Sequence, residues 1–123
     1  MTTLTEGRYA AEFILSEASG NRSRDKDTVK AGAGSLAAGT VVQRGQDGLL
    51  VAFDGNTDSG GALDPEAAGV LIYAVDATGA SNVDCTLLAR DAEVNSNLLT
   101  YACPLADVTR SLKLLGIVTR TLG

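Results

Sequence analysis

The order of apolar and polar positions along this 123-residue chain predicts a body built mostly from short strands. Two β-prone runs, TVVQ and LLVAF, flank Asp47-Gly48, a dipeptide that favours a tight hairpin because its glycine accepts a positive φ. The run VLIYAVDA at 70–77 is apolar at successive positions, which predicts a strand buried on both faces. Residues 54–69 contain four glycines and one proline, and we predict a surface loop there.

The C-terminal part of the chain predicts two more strands, one helix and a β-prone tail. The runs 83–94 and 98–103 are interpreted as strands joined by a turn at Asn95-Ser96-Asn97. Helical spacing follows in PLADVTRSLKLLG, which begins with proline and ends with glycine, and the run IVTRTL comes after it. Together these elements predict a mainly β fold, a small barrel or sandwich with one short helix near the C-terminus.

The N-terminal part differs from this body. Residues 9–17, YAAEFILSE, have the apolar content of a strand, whereas the segment 16–27 is almost entirely polar and indicates a solvated segment. Acids and bases balance within 1–30, so the net charge of −5 belongs to the remainder. We therefore divide the chain into an extended N-terminal arm, 1–30, and a β-rich body, 31–123.

Composition and charge argue against several classes of function. An acidic body repels phosphate backbones, which argues against a nucleic-acid partner. No apolar run approaches the roughly 18 residues that span a bilayer, so no membrane partner is expected. The first residues lack a basic start followed by an apolar stretch, and we expect synthesis and residence in a cytoplasm.

The chain has little catalytic equipment. It contains no histidine, which removes the commonest general base and the commonest transition-metal ligand. Cys85 and Cys103 are interpreted as small buried apolar groups, not as a nucleophile or a disulfide. Asp91 and Glu93 would lie on one face of a strand as a carboxylate pair, but a sugar cleft usually needs more aromatic residues. We predict that the protein is not an enzyme.

A cluster of oxygen-bearing side chains raises the question of calcium. Asp54, Asn56 and Asp58 match the first three ligand positions of a calcium-binding loop. Ser59 then stands where that loop needs glycine, and Pro65 stands where it needs a bidentate glutamate. We predict no metal and no cofactor, and interpret these residues as turn formers.

Five segments, in order and with similar spacing, resemble the lambdoid phage head decoration protein family: FILSEASGNRSRD, LVAFDGNTD, AAGVLIYAVDA, RDAEVNSNLLTY and LLGIVTR. The resemblance implies a non-enzymatic capsid cement protein with a β-tulip-like fold that forms homotrimers. It also implies a place on the outer capsid surface of a bacteriophage virion, after assembly in the host cytoplasm. There the trimers would clamp neighbouring major capsid proteins and stabilise the expanded head against the pressure of packaged DNA.

In that family the N-terminal segment faces the shell, which implies a capsid-binding arm in EFILSE and the following GNRSRD. We expect this arm to add a strand to an open sheet edge of the capsid protein. The two arginines would set its register through carboxylates, and a solvated loop is the other interpretation. The predicted capsid-binding residues are Glu12, Phe13, Ile14, Leu15, Ser16, Glu17, Arg22 and Arg24.

Two other functions stay open at this stage. A small β-barrel module that binds a soluble ligand or a carbohydrate would need a deep concave pocket within one subunit, and the scarcity of aromatic residues counts against it. A hydrolase would need an activity that depends on Asp91.

Overall fold

The computed structural model describes residues 13–17, 23–45, 47–54, 66–102 and 105–121. In this part the strands are β1 Ile14–Glu17, β2 Arg24–Val29, β3 Gly34–Leu36, β4 Val41–Arg44, β5 Leu50–Ala52, β6 Ala67–Leu71, β7 Val75–Ala77, β8 Val83–Leu88, β9 Ala92–Asn95 and β10 Ile117–Arg120. A 3-10 helix spans Ser96–Leu98, and the α-helix, α1, spans Leu105–Lys113. The predicted mainly β fold with a short helix near the C-terminus is confirmed.

Five strands close into a barrel in the order β2-β5-β4-β6-β8. Neighbouring strands are antiparallel, except that β2 meets β5 in a parallel contact at its last residue. The barrel core contains Val29, Leu50, Leu71 and Leu87, which belong to four different strands. Successive side chains of a strand point to opposite faces, so these aliphatic residues fill the interior while their neighbours face outward.

The hairpin predicted around Asp47-Gly48 is confirmed. β4 and β5 pair in antiparallel register, with Arg44 opposite Leu50. Gly48 has a φ of 85°, a left-handed backbone conformation that glycine adopts without steric cost. The Asp47 carboxylate accepts a hydrogen bond from the Leu49 N–H at 3.1 Å, which stabilises the turn.

A second sheet has three strands in the order β1-β9-β10. Its central strand, β9, is antiparallel to β1 and parallel to β10. Phe13, Val94 and Ile117 contribute fully buried side chains to the core that this sheet shares with α1. Leu15 and Val118 of the same sheet are exposed. β10 confirms the β-prone tail, while β3 and β7 form a separate antiparallel pair.

The predicted C-terminal helix is confirmed as α1. Val108 and Leu112 recur at helical spacing and have no exposed surface, because this face of α1 covers the core of the three-stranded sheet. The buried Ser111 hydroxyl accepts a hydrogen bond from the Ala67 N–H at 2.7 Å and donates one to the Glu66 carboxylate at 2.7 Å. These two bonds attach α1 to the start of β6. Within the described residues, no helix has the length and apolar character needed to cross a membrane.

Two of the predicted strands are each broken in the structure. The run 70–77 divides into β6 and β7, which belong to different sheets. The run 83–94 divides into β8 and β9 after a turn in which Asp91 has a φ of 56°. At both breaks the chain leaves the barrel for another sheet, a change of direction that the local apolar pattern does not encode.

The hairpin predicted at Asn95-Ser96-Asn97 is wrong. The Asn95 side-chain oxygen accepts a hydrogen bond from the Asn97 N–H at 3.0 Å and caps the 3-10 helix instead. This local side-chain bond competes with strand pairing. Downstream, Thr100 forms an isolated parallel bridge to the residue before β4, and the described part of 98–103 contains no strand.

The prediction of a solvated segment at 16–27, which was based on its polar residues, is wrong for its second half. β2 occupies its second half and pairs with β8 over all six residues, from Arg24 opposite Leu88 to Val29 opposite Val83. The predicted surface loop at 54–69 also ends earlier than expected, because β6 starts within it; residues 55–65 lie outside the described part.

Candidate functional site

β1 is anchored by the residue that precedes it. Phe13 has no exposed surface and packs in the core of the three-stranded sheet, with Ile14 partly buried against the same core. Burying a phenylalanine side chain fully contributes about 1.5–3 kcal/mol. The Phe13 carbonyl also accepts a hydrogen bond from the Asn95 N–H at 2.8 Å. The start of β1 is therefore fixed both by its side chain and by its backbone.

β1 has one paired edge and one open edge. It pairs with β9 from Ile14 opposite Val94 to Glu17 opposite Ala92, and the register shifts at Leu15. Its other edge has no strand partner among the described residues. An open edge presents backbone N–H and C=O groups with which a strand of another chain can pair. The Leu15 side chain, 40% exposed, lies on this strand.

The C-terminal end of β1 is held by three polar side chains. Glu17 accepts hydrogen bonds from the Arg24 guanidinium at 3.0 and 2.6 Å, and another from the Ser23 hydroxyl. The Arg24 hydrogen bond is the main reason that the pKa of Glu17 lies below its ordinary value, and Glu17 in turn raises the pKa of Arg24. Two parallel N–H···O bonds make this a geometrically specific pair, which joins the end of β1 to the start of β2.

β2 carries four charged residues, and its two acids pair with arginines from other parts of the barrel. Asp27 accepts two hydrogen bonds from Arg44 of β4, at 3.1 and 2.6 Å, and Asp25 accepts one from Arg90, which follows β8. The Arg44 hydrogen bonds lower the pKa of Asp27. Together with the ion pair at the end of β1, these contacts tie β2 to β1, to β4 and to the turn between β8 and β9. These ion pairs explain how a strand with four charged residues can form part of the barrel.

The predicted capsid-binding residues fall in different environments. Phe13 lies in the core, and Ile14, Leu15 and Ser16 lie on β1. Arg24 has a carboxylate partner, Glu17, within the chain. Glu12 and Arg22 lie outside the described residues, so their roles stay predictions. The division of the chain at residue 30 also stays a prediction; in the described residues before that point, β1 and β2 pair with β9 and with β8 and β5.

The carboxylate pair considered for catalysis does not have the expected geometry. Asp91 lies in the turn before β9 and has a left-handed backbone, so it does not share a strand face with Glu93. Glu93 accepts a hydrogen bond from Arg120 at 2.8 Å, which lowers its pKa. A carboxylate that holds its proton less tightly is a poorer general acid near neutral pH.

The calcium-like segment lies mostly outside the described residues. Asn56 and Asp58 are among the residues that are not described, whereas the Asp54 N–H donates a hydrogen bond to the Gln43 side chain at 3.1 Å. No group of three potential metal ligands occurs in the described part of the chain. Cys85 is a buried free thiol, and burial raises its pKa to about 11, which suppresses the nucleophilic thiolate.

A hollow of about 400 Å³ lies against β2 and β8, next to the turn that follows β6. Its lining residues include Tyr73, Lys26, the threonines Thr28 and Thr86, and the acids Asp27 and Asp84. Sequence reasoning did not select Tyr73. The available signal was a tyrosine within an apolar run, in a chain with three tyrosines and two phenylalanines.

A family model described as bacteriophage lambda head decoration protein D matches residues 3–116. The chain belongs to this family. The match spans the strands from β1 to β9 and also α1, and it ends just before β10. A search of curated proteins found no match.

Membership of the head decoration family identifies the protein as a structural component that decorates a phage capsid. The capsid is its partner, and the outer surface of the virion is its location. The resemblance seen in the five sequence segments is confirmed by this match. Family membership also gives the open edge of β1 a candidate partner, the capsid, because a decoration protein must present some surface to the shell.

Proposed function

We propose that this head decoration protein is a homotrimeric cement protein. It assembles in the host cytoplasm, binds the major capsid protein on the outside of the expanded head, and stabilises the shell against the pressure of packaged DNA. Family membership supports the capsid as partner. The observation that carries the mode of binding is the open edge of β1, a strand whose two ends are fixed within its own subunit.

The mode of binding is β-augmentation, in which the open edge of β1 pairs with an open edge of the capsid protein. Ordering a backbone residue costs about 1–2 kcal/mol, and a free arm would incur this cost when it binds. In this protein Phe13 and the Glu17–Arg24 pair already hold β1 in an extended conformation. The preorganised edge therefore binds with a smaller loss of entropy than a free arm would.

Three copies of this edge on one trimer act together. Linked contacts of modest strength raise avidity by about 10² to 10⁴ when the geometry allows simultaneous binding. Each copy also presents the exposed Leu15 beside its backbone groups, so that apolar burial adds to the strand pairing. This combination suits a protein that must hold several capsid subunits at once.

The test adds purified protein to undecorated expanded heads and counts the bound copies per head. Leu15→Arg places a charge on the open strand while leaving the buried core intact, and we expect it to abolish decoration. The matched control is Leu114→Arg, because Leu114 is also exposed but lies after α1 and not on β1. Deleting residues 1–17 is less informative, since it removes the buried Phe13 as well.

Two further measurements complete the test. Light scattering of the purified protein gives the number of copies per oligomer. A protein that is monomeric and still decorates heads fully would contradict the trimer. Heating DNA-filled heads with and without the protein measures stabilisation of the shell. Leu15→Arg protein that decorates heads at wild-type occupancy would overturn the role of the β1 edge.

A further inference from the structure

Tyr73 is half exposed at the end of a segment that is otherwise buried. Leu71 and Ile72, immediately before it, have no exposed surface, whereas Tyr73 is 50% exposed and borders the hollow against β2 and β8. The Ile72 N–H donates a hydrogen bond to the Thr86 carbonyl at 3.1 Å, which holds the backbone just before Tyr73 in place. The ring is therefore presented to solvent from a rigid support.

The hollow beside Tyr73 is connected to the end of β1 through β2. The Arg24 guanidinium donates two hydrogen bonds to Glu17, the last residue of β1. Arg24 lies on the same face of β2 as Lys26 and Thr28, which line the hollow beside Tyr73. Glu17, Arg24 and Lys26 thus link the open strand to the hollow that Tyr73 borders. Tyrosine and arginine are the residue types that most often dominate binding energy at protein interfaces.

The chemistry of the hollow favours a peptide over other occupants. The lining includes Lys26, the carboxylate residues Asp27 and Asp84, two threonines and Tyr73, and Asp27 is already paired with Arg44. A lining that holds both signs of charge does not suit a phosphate polymer, whereas a polar peptide segment can pair with both. Tyrosine adds contact area at a low entropic cost because it has only two rotatable side-chain bonds.

We infer that Tyr73 and the hollow beside it form a second contact point for the major capsid protein, next to the β1 edge. The inference rests on the proposed function: the capsid segment that pairs with β1 continues past Arg24 and packs against the Tyr73 ring. The Tyr73 side chain then contributes a large part of the binding energy at this contact. Pairing with the β1 edge sets the register of the capsid segment. Sequence resemblance had pointed only to residues 12–24 for this surface.

The experiment measures the affinity of three variants for undecorated expanded heads by co-sedimentation. Tyr73→Ala removes the ring, and we expect binding about tenfold weaker or more. Tyr73→Phe keeps the ring and removes only the hydroxyl, so its loss is smaller. Leu114→Ala is the control, since it truncates an even more exposed apolar side chain away from this surface. Circular dichroism and light scattering verify that each variant keeps the fold and oligomeric state.

The outcomes separate this inference from the proposed function. If wild-type protein does not bind heads, the proposed function fails, and the inference fails with it. If wild-type protein binds and Tyr73→Ala binds equally well, only the inference is overturned. It is also overturned if Tyr73→Ala and Leu114→Ala weaken binding equally, or if Tyr73→Ala changes the number of copies per particle, which would place the hollow between copies of this chain.

Discussion

The two N-terminal strands, β1 and β2, are held in the protein by different means. β1 is anchored by the buried side chain of Phe13, and it leaves one edge without a strand partner among the described residues. β2 carries four charges in six residues, has neighbours on both edges, and forms ion pairs with β1, with β4 and with Arg90 in the turn after β8.

The difference shows how one short region can both bind a partner and complete a fold. Burial holds a strand through its side chain, so its backbone edge stays available for pairing. A polar strand cannot be held in this way, and its backbone and charges must both find partners inside the protein. The anchored strand is therefore suited to binding, and the charged strand closes the barrel.

The largest expected effect is the loss of the β1 anchor. Phe13→Ala leaves a cavity in the core of the three-stranded sheet, and we expect it to lower the free energy of unfolding by about 3–5 kcal/mol. Leu15→Ala, on the same strand but exposed, should change it by about 0.5 kcal/mol or less. Urea denaturation of both variants measures the contrast. Equal losses would show that burial of Phe13 is not what holds β1.

The next effect concerns two carboxylates that form ion pairs at β2, Glu17 with Arg24 and Asp27 with Arg44, and it appears at acid pH. The pKa values of Glu17 and Asp27 in the folded protein lie below their ordinary values of 4.5 and 3.8. As the pH falls, the unfolded chain therefore binds protons before the folded one does. The stabilisation that the ionised Glu17 and Asp27 carboxylates contribute is complete above about pH 4.5. It is lost as the pH falls through the pKa values of these groups in the folded protein.

A variant isolates the contribution of β2 to this acid sensitivity. Asp27→Asn removes one of the two carboxylates, and we expect it to cost about 1 kcal/mol at pH 7 because the pair with Arg44 is only partly buried. Urea denaturation at several values between pH 7 and pH 3 compares this variant with the wild type. The difference in the free energy of unfolding between the two proteins should become smaller toward pH 3. Curves that stay parallel would show that Asp27 does not contribute through its charge.

The smallest effect is expected at the exposed ion pair beyond the end of β2. Lys30 lies 3.2 Å from Asp47, but about half of each side chain is exposed. Exposed pairs gain little because water and salt screen the charges. Lys30→Met should leave the urea midpoint unchanged within error. A shift as large as that of Asp27→Asn would mean that exposure does not decide the strength of these pairs.

Features that depend on neighbouring residues were predictable from the sequence. The Asp47-Gly48 hairpin follows from the need for positive φ at a glycine, and α1 follows from the spacing of Val108 and Leu112. The break at Asp91 was not predictable, because it depends on where β8 leaves the barrel and β9 enters the other sheet. The polar strand β2 was missed for a similar reason, since its arginine partners lie on distant elements.

The candidate site was predictable in part. The apolar run FILSE marks a strand, and the family resemblance directed attention to it. The burial of Phe13 could not be derived, because the core around it is formed by Val94 and Ile117, far along the chain. Tyr73 was missed because an exposed tyrosine and a buried one look the same within an apolar run.

The sequence by itself determined that this protein is mainly β, that it has a short C-terminal helix, and that it resembles the head decoration family. These conclusions depend on local spacing, turn residues and matching segments. Only the tertiary structure decided which strand edge is open, which charges are paired and which aromatic side chain is exposed. Those properties depend on contacts between residues distant in the chain, and side chains become buried or paired only when the sheets come together.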